Sequence, residues 1–273
     1  MSHYVLAVFT EDTPADLDSI MEPYYEGLEV ESYVMYTKDE LIEQEKSEMK
    51  STFENQYAEW IRDPIAYEKK TSNPTHIDYL QKLPDRMKRT DEEIYNDAVV
   101  FYQYDTDDDG NVLSTCNPDA KWDWFEVGGR WKDMLVLKLD ESLSKRTQQV
   151  LDKGRTQCDS AFVPDIDFQK MKKQSIKALA PYDKAMSNSF YKKECMKQRF
   201  LTQYEYVERQ SAFHTYAVIT PDGQWHAPGE MGWFGTSTDT PGEERVWEDE
   251  FFDTFIKPAI THGWHLTVVD CHT

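Results

Sequence analysis

An α+β fold is what the sequence predicts, with a mostly antiparallel sheet and helices on one face. Three observations carry this. Apolar, β-rich runs open and close the chain, hairpin signals separate several strand pairs, and the long connections are helical excursions without regular strand–helix alternation. A single domain over residues 1–273 is expected, with helical insertions at about 37–97 and 140–210 and a ferredoxin-like core.

The elements follow in order. His3–Thr10 is an apolar run ending in a Glu-Asp-Thr-Pro turn, and reads as a buried central strand. Pro14 to Glu26 suits a short acidic helix with Leu17, Ile20 and Met21 on one face. Glu31–Tyr36 alternates as a strand. Thr37 with Glu40 three residues on is a capping box, opening a helix that runs to Asp63-Pro64. Further helices are expected at 75–83 and 90–97, with Pro84 as a breaker and a second capping box at Thr90. Ala98–Tyr104 and Val112–Thr115 read as the strands of a hairpin around Asp105–Asn111. That turn resembles the first half of a calcium loop, but its twelfth position is Cys116 where a bidentate Glu belongs. Met134–Leu139 is a further strand, and helices are expected at 166–180 and 183–209. Residues 215–226 form a hairpin around Pro221-Asp222-Gly223. Glu244–Ile260 is an amphipathic helix with Val246, Trp247, Phe251, Phe255 and Ile256 inward, stopped by Gly263. His265–His272 closes the chain as a buried strand beside the first.

Charge narrows the partners. The net charge of −21 disfavours direct contact with nucleic-acid phosphates and attracts basic partners. The acidity is uneven: residues 10–63 hold sixteen acids against four bases, whereas 169–209 hold ten bases against four acids. The four cysteines (116, 158, 195 and 271) are widely spaced, which fits neither a disulfide framework nor a zinc ribbon. No long apolar run or signal-peptide pattern occurs, so neither a membrane span nor secretion is expected.

The densest signal is Lys121-Trp122-Asp123-Trp124-Phe125-Glu126-Val127-Gly128-Gly129-Arg130-Trp131. Paired glycines mark a tight turn or a close approach to the backbone. Together with the opening Met1-Ser2-His3-Tyr4-Val5, Gly229-Glu-Met-Gly-Trp233 and Thr267-Val-Val-Asp-Cys-His272, this stretch resembles a family of uncharacterised accessory proteins of tailed phages and prophages. The resemblance spans the chain, is loosest in the lysine-rich middle, and implies an accessory protein working in the bacterial host cytoplasm. It implies no activity.

Two functional readings follow. In the first, the protein is a non-enzymatic inhibitor whose acids, Glu40, Glu43, Glu48, Glu54 and Glu59 among them, cover the basic, nucleic-acid-binding face of a host defence protein. In the second, Trp122, Trp124, Arg130, Trp131, Glu230, Trp233, Asp270 and His272 form a site for a small nucleotide-like molecule, with tryptophans for stacking and Arg130 for a phosphate or carboxylate. The alternative for that cluster is a packed core with Arg130 paired to Asp123 or Glu126. Along a strand, Asp270 and His272 share a face and Cys271 points away, so the Asp/His pair is the chemical unit there. His3 would meet His272 if the terminal strands pair. No P-loop or Rossmann fingerprint implies a cofactor. His226, Glu230, Asp270 and His272 lack the short spacing of a zinc motif, so no metal is expected.

Overall fold

A computed structural model describes the chain except for residues 1, 14–15, 72, 140–142, 180–207 and 232–236. It is an α+β structure. The strands are β1 (His3–Thr10), β2 (Glu29–Tyr36), β3 (Asp105–Thr106), β4 (Val112–Cys116), β5 (Trp124–Val127), β6 (Leu135–Val136), β7 (Gln157–Cys158), β8 (Ser160–Phe162), β9 (Ala217–Ile219), β10 (Trp225–His226) and β11 (His265–His272). The helices used below are α1 (Leu17–Met21), α2 (Lys38–Thr52), α3 (Ala58–Arg62), α4 (Pro64–Thr71), α5 (Pro74–Arg86), α6 (Asp91–Tyr102), α7 (Lys145–Asp152), α8 (Phe168–Leu179), α9 (Pro241–Phe251) and α10 (Lys257–His262). They fall into two compact units, one formed by Met1–Leu28 with Asn117–Thr273 and the other by Glu29–Cys116.

The first unit is built on a six-stranded sheet ordered β10-β9-β1-β11-β5, with β8 also pairing β11. Its spine is the antiparallel β1–β11 pair, in register from His3↔His272 to Thr10↔His265. β9 joins β1 in parallel, and the other pairs are antiparallel. The ferredoxin-like core does not emerge from this order, which holds more strands than that βαββαβ unit and a different connectivity.

Both faces of the spine are apolar because strand side chains alternate. Tyr4, Leu6, Val8, Val269 and Cys271 face one way, against Met21 of α1 and Trp122. Ala7, Phe9, Leu266 and Val268 face the other, against Phe251, Phe255, Ile256 and Ala259 of the C-terminal helix and Met171 of α8. Each large side chain fully buried this way contributes roughly 1.5–3 kcal/mol. The C-terminal helix passes from α9 through a π-helical turn at Phe252–Ile256 into α10, and Gly263 caps it at φ 69°. Val246 is 51% exposed, so it does not join that inward face.

The second unit carries a three-stranded sheet, β2-β4-β3, and helices α2–α6. Thr37 and Thr90 close the expected capping boxes with Glu40 and Glu93. Leu41 and Ile42 pack with Tyr95, Ala98 and Val112, and Met49 packs with Leu80, Leu83 and Ile94. Ala98–Tyr102 is helical where a strand was expected. The run continues the helix begun at Thr90, so Ile94, Tyr95 and Ala98 bury one face, and Gln103 ends it in the left-handed region at φ 57°. Only Asp105–Thr106 remains to pair with β4.

Pro84 sits inside α5 and does not break it. The strand expected over 134–139 shrinks to Leu135–Val136, and most of the helix expected at 183–209 lies outside the described residues.

Candidate functional site

Register places the site. His272 is opposite His3 on one side and Trp124 on the other, and Asp270 is opposite Val5 and Glu126. Alternation puts all six on the face that elsewhere buries Ala7, Phe9, Leu266 and Val268. The apolar face therefore ends in a polar patch at the start of β1 and the end of β11.

Two carboxylate–imidazole pairs occupy it. Asp270 Oδ1 lies 2.8 Å from His3 Nδ1, a diagonal contact across the strands, and Oδ2 accepts the Arg130 backbone N–H at 2.9 Å. Asp123 Oδ1 lies 2.6 Å from His272 Nδ1, while the Asp123 N–H donates to the His272 carbonyl at 3.0 Å. The side chains of His3 and Asp270 are 9% and 3% exposed, so their bond sits where water competes little, whereas His272 is buried at 7% but its partner Asp123 is partly open. Trp124 stacks on His272 at 5.1 Å and 17°, and the His3 ring meets both edge-on. The Trp124 side is open, at 44% exposure.

A carboxylate on Nδ1 fixes an imidazole's tautomer and leaves Nε2 as the working nitrogen. His272 Nε2 is buried and has no hydrogen-bond partner. This arrangement can take up or release a proton at His272 Nε2 once a ligand reaches it.

The glycine pair explains how the loop closes on the site. Gly128 and Gly129 have φ of 74° and 45°. A Cβ at Gly129 would strike the Asp270 side chain, and one at Gly128 would strike the Asp159 carboxylate. The close approach read from Gly-Gly is therefore to two aspartates, and only glycine permits it. Asp159 in turn accepts the Asp133 backbone N–H.

The structure brings together only part of the expected residue set. Trp124, Asp270, His272 and the Arg130 backbone meet, and the Arg130 side chain is exposed with no ion pair among the described residues. The expected pairing of Arg130 with Asp123 or Glu126 does not form, since Asp123 is taken by His272. Trp122 is on the opposite face, in the core, donating Nε1–H to the Met21 carbonyl at 3.2 Å. Trp131 packs against the larger core. Glu230 pairs with Lys121 at 2.7 Å, and Trp233 lies outside the described residues.

Cys271 points away as alternation requires, beside Tyr4, and burial raises its thiol far above the usual range. Burial likewise raises Cys158, which packs in the core. Cys116 belongs to the second unit, and Cys195 is not among the described residues. Among the described residues no three His, Cys, Asp or Glu side chains converge as a metal site. Asp107 spends its Oδ1 on its own turn, accepting from the N–H groups of Asp109 and Asn111. Sequence reasoning missed Asp123 as a site residue; its signal was its position beside Trp124, which carries it to the edge of β11.

In the second unit, the five acids proposed for partner binding are all exposed. Glu40 closes its capping box, Glu43 pairs with Lys46, Glu48 accepts from Gln44, and Glu59 pairs with Lys70. Exposed pairs of this kind hold their partners weakly.

Compared with known protein families, curated proteins and solved structures, the chain matches none.

Proposed function

We propose that the protein binds a small nucleotide-like molecule at the His3–Asp270 and His272–Asp123 pairs, and that His272 Nε2 exchanges a proton with it. The observation that carries this is a buried, unpartnered Nε2 beneath an exposed indole, on an imidazole whose other nitrogen is held by Asp123. In this reading the ligand's ring stacks on the exposed Trp124 indole and reaches His272 Nε2 from there. Arg130, on the same turn, holds a phosphate or carboxylate.

The test is a titration with a panel of nucleoside monophosphates, followed by tryptophan fluorescence and imidazole ¹⁵N NMR. Binding should move the His272 resonances, and Trp124→Ala and Arg130→Ala should each weaken it about tenfold or more with little change in melting temperature. Absence of binding at millimolar ligand, or binding that ignores both substitutions, would overturn the reading.

A second reading rests on the second unit. Glu40 and Glu43 project from α2 on the side away from Leu41, Ile42 and Met49, Glu48 is exposed near the end of α2, and Glu54 and Glu59 continue along the same run of helix. With the resemblance to phage accessory proteins, this supports an acidic inhibitor of a basic, nucleic-acid-handling host protein in the bacterial cytoplasm. A pull-down from host lysate at low and high salt tests it. A stoichiometric, salt-sensitive partner lost on reversing Glu43, Glu48 and Glu54 supports this reading, and a partner that persists in the reversed variant sinks it.

A further inference from the structure

A groove of about 500 Å³ runs along one side of α9 and the π-helical turn that follows it, with His226 and Pro228 as its other wall. That is within the usual size of small-molecule sites. It shares no residue with the His–Asp cluster and is independent of the function proposed above.

Its chemistry is specific. The floor is aromatic: Trp247 contacts Phe255 at 5.2 Å and Phe251 at 5.7 Å, and the His226 ring lies 5.6 Å from Phe255. Two of the ring nitrogens are already engaged. Trp247 Nε1–H donates to the Thr215 carbonyl at 2.8 Å, and His226 Nε2 lies 3.1 Å from Thr220 Oγ1. The groove therefore offers mainly ring surface, and aromatic rings attract cations.

The rim carries two carboxylates, Glu243 and Glu250, and among the described residues no lysine or arginine lines the groove. Glu243 is committed to the α9 cap, accepting the Thr240 N–H at 2.8 Å. Glu250 is exposed and makes no ion pair or hydrogen bond among the described residues. An aromatic floor beneath one uncommitted carboxylate is complementary to a cation with an apolar body.

We propose that this groove binds a small organic cation of the arylalkylammonium type. Its apolar body lies over Trp247 and Phe255, and its ammonium group meets Glu250. A positively charged ligand also gains from the net charge of −21 on the chain.

Three probes of similar size and different charge test this on the full chain: 2-phenylethylammonium, 2-phenylethanol and phenylacetate. Methyl NMR of Val246 and Thr254 reads occupancy directly. The cation should give saturable shifts, with the alcohol and the anion weaker by about tenfold or more. Glu250→Gln should weaken the cation about fivefold or more while leaving the alcohol unchanged. Val246→Trp, at an exposed position on the rim, should block all three, and an unchanged melting temperature would show that the fold survives. Equal affinity for the three probes, no saturable shift at about 20 mM cation, or indifference to Glu250→Gln would each overturn the proposal.

Discussion

His265 and His272 stand at the two ends of the same strand, both buried, and differ in what touches the ring. His272 has a carboxylate on Nδ1 and a flat indole over its face. His265 has no carboxylate within hydrogen-bond reach among the described residues: Ser160 Oγ lies 3.3 Å from its Nε2, Phe162 meets it edge-on, and its Nδ1 has no partner. Burial is the main reason its pKa falls to about 4. Arg146 lowers it further, and Asp12 offsets part of the fall. One residue type on one strand thus sits differently at the two ends: at the first it is a buried neutral ring, and at the second its Nδ1 is held by a carboxylate under an indole. The difference lies in whether a neighbouring strand or loop delivers an aspartate.

The comparison can be broken most strongly at Asp270. Asp270→Ala removes the acceptor for both His3 and the Arg130 N–H in a buried setting, and should cost about 4 kcal/mol in a urea titration. A loss below about 1 kcal/mol would mean that the pair contributes little to the fold.

The His265 end has a pH signature of comparable size. The unfolded ring takes a proton near pH 6.5 and the folded ring only near 4, so between these values the unfolded state binds more protons. Stability from this group is complete above about pH 6.5 and falls as pH drops towards 4, by up to about 3 kcal/mol. The urea midpoint measured from pH 7 to 4 should therefore fall less steeply in His265→Gln than in the parent chain. Parallel curves would show that folding leaves the ring's pKa unshifted and would overturn the prediction.

Gly129→Ala sharpens the comparison, because it disturbs only the His272 end. A side chain at φ 45° that also meets Asp270 should cost about 2 kcal/mol and displace the Arg130 N–H from the carboxylate. Amide NMR at Arg130 reports that displacement, and an unmoved resonance would contradict it. Asp123→Asn is the mildest test. Asp123 is 38% exposed, so stability should change by less than about 1 kcal/mol, yet the His272 tautomer populations should redistribute in ¹⁵N spectra.

Much of the architecture was legible in local sequence. Capping boxes at Thr37 and Thr90, the Pro221-Asp222-Gly223 turn and Gly263 are signals whose physics acts within a few residues. A third box at Thr240–Glu243 obeys the same local rule and starts the last helix at Pro241, ahead of the Glu244 start that apolar spacing alone suggests. Ala98–Tyr102 differs from the expected strand because a short apolar, β-branched run fits strand or helix equally, and only Leu41 and Val112 packed against its inner face decide.

By itself the sequence determined the fold class, the apolar terminal strands, the shared face of Asp270 and His272, and the need for glycine at 128 and 129. These follow from alternation, capping and steric rules that act along the chain. Only the tertiary structure decided what the glycines make room for, that Asp123 holds His272, that Trp122 is core while Trp124 is open, and that α9 leaves an aromatic groove. Each of these joins residues far apart in the chain, such as Asp123 and His272 at 149 positions, and no local rule reaches across that distance.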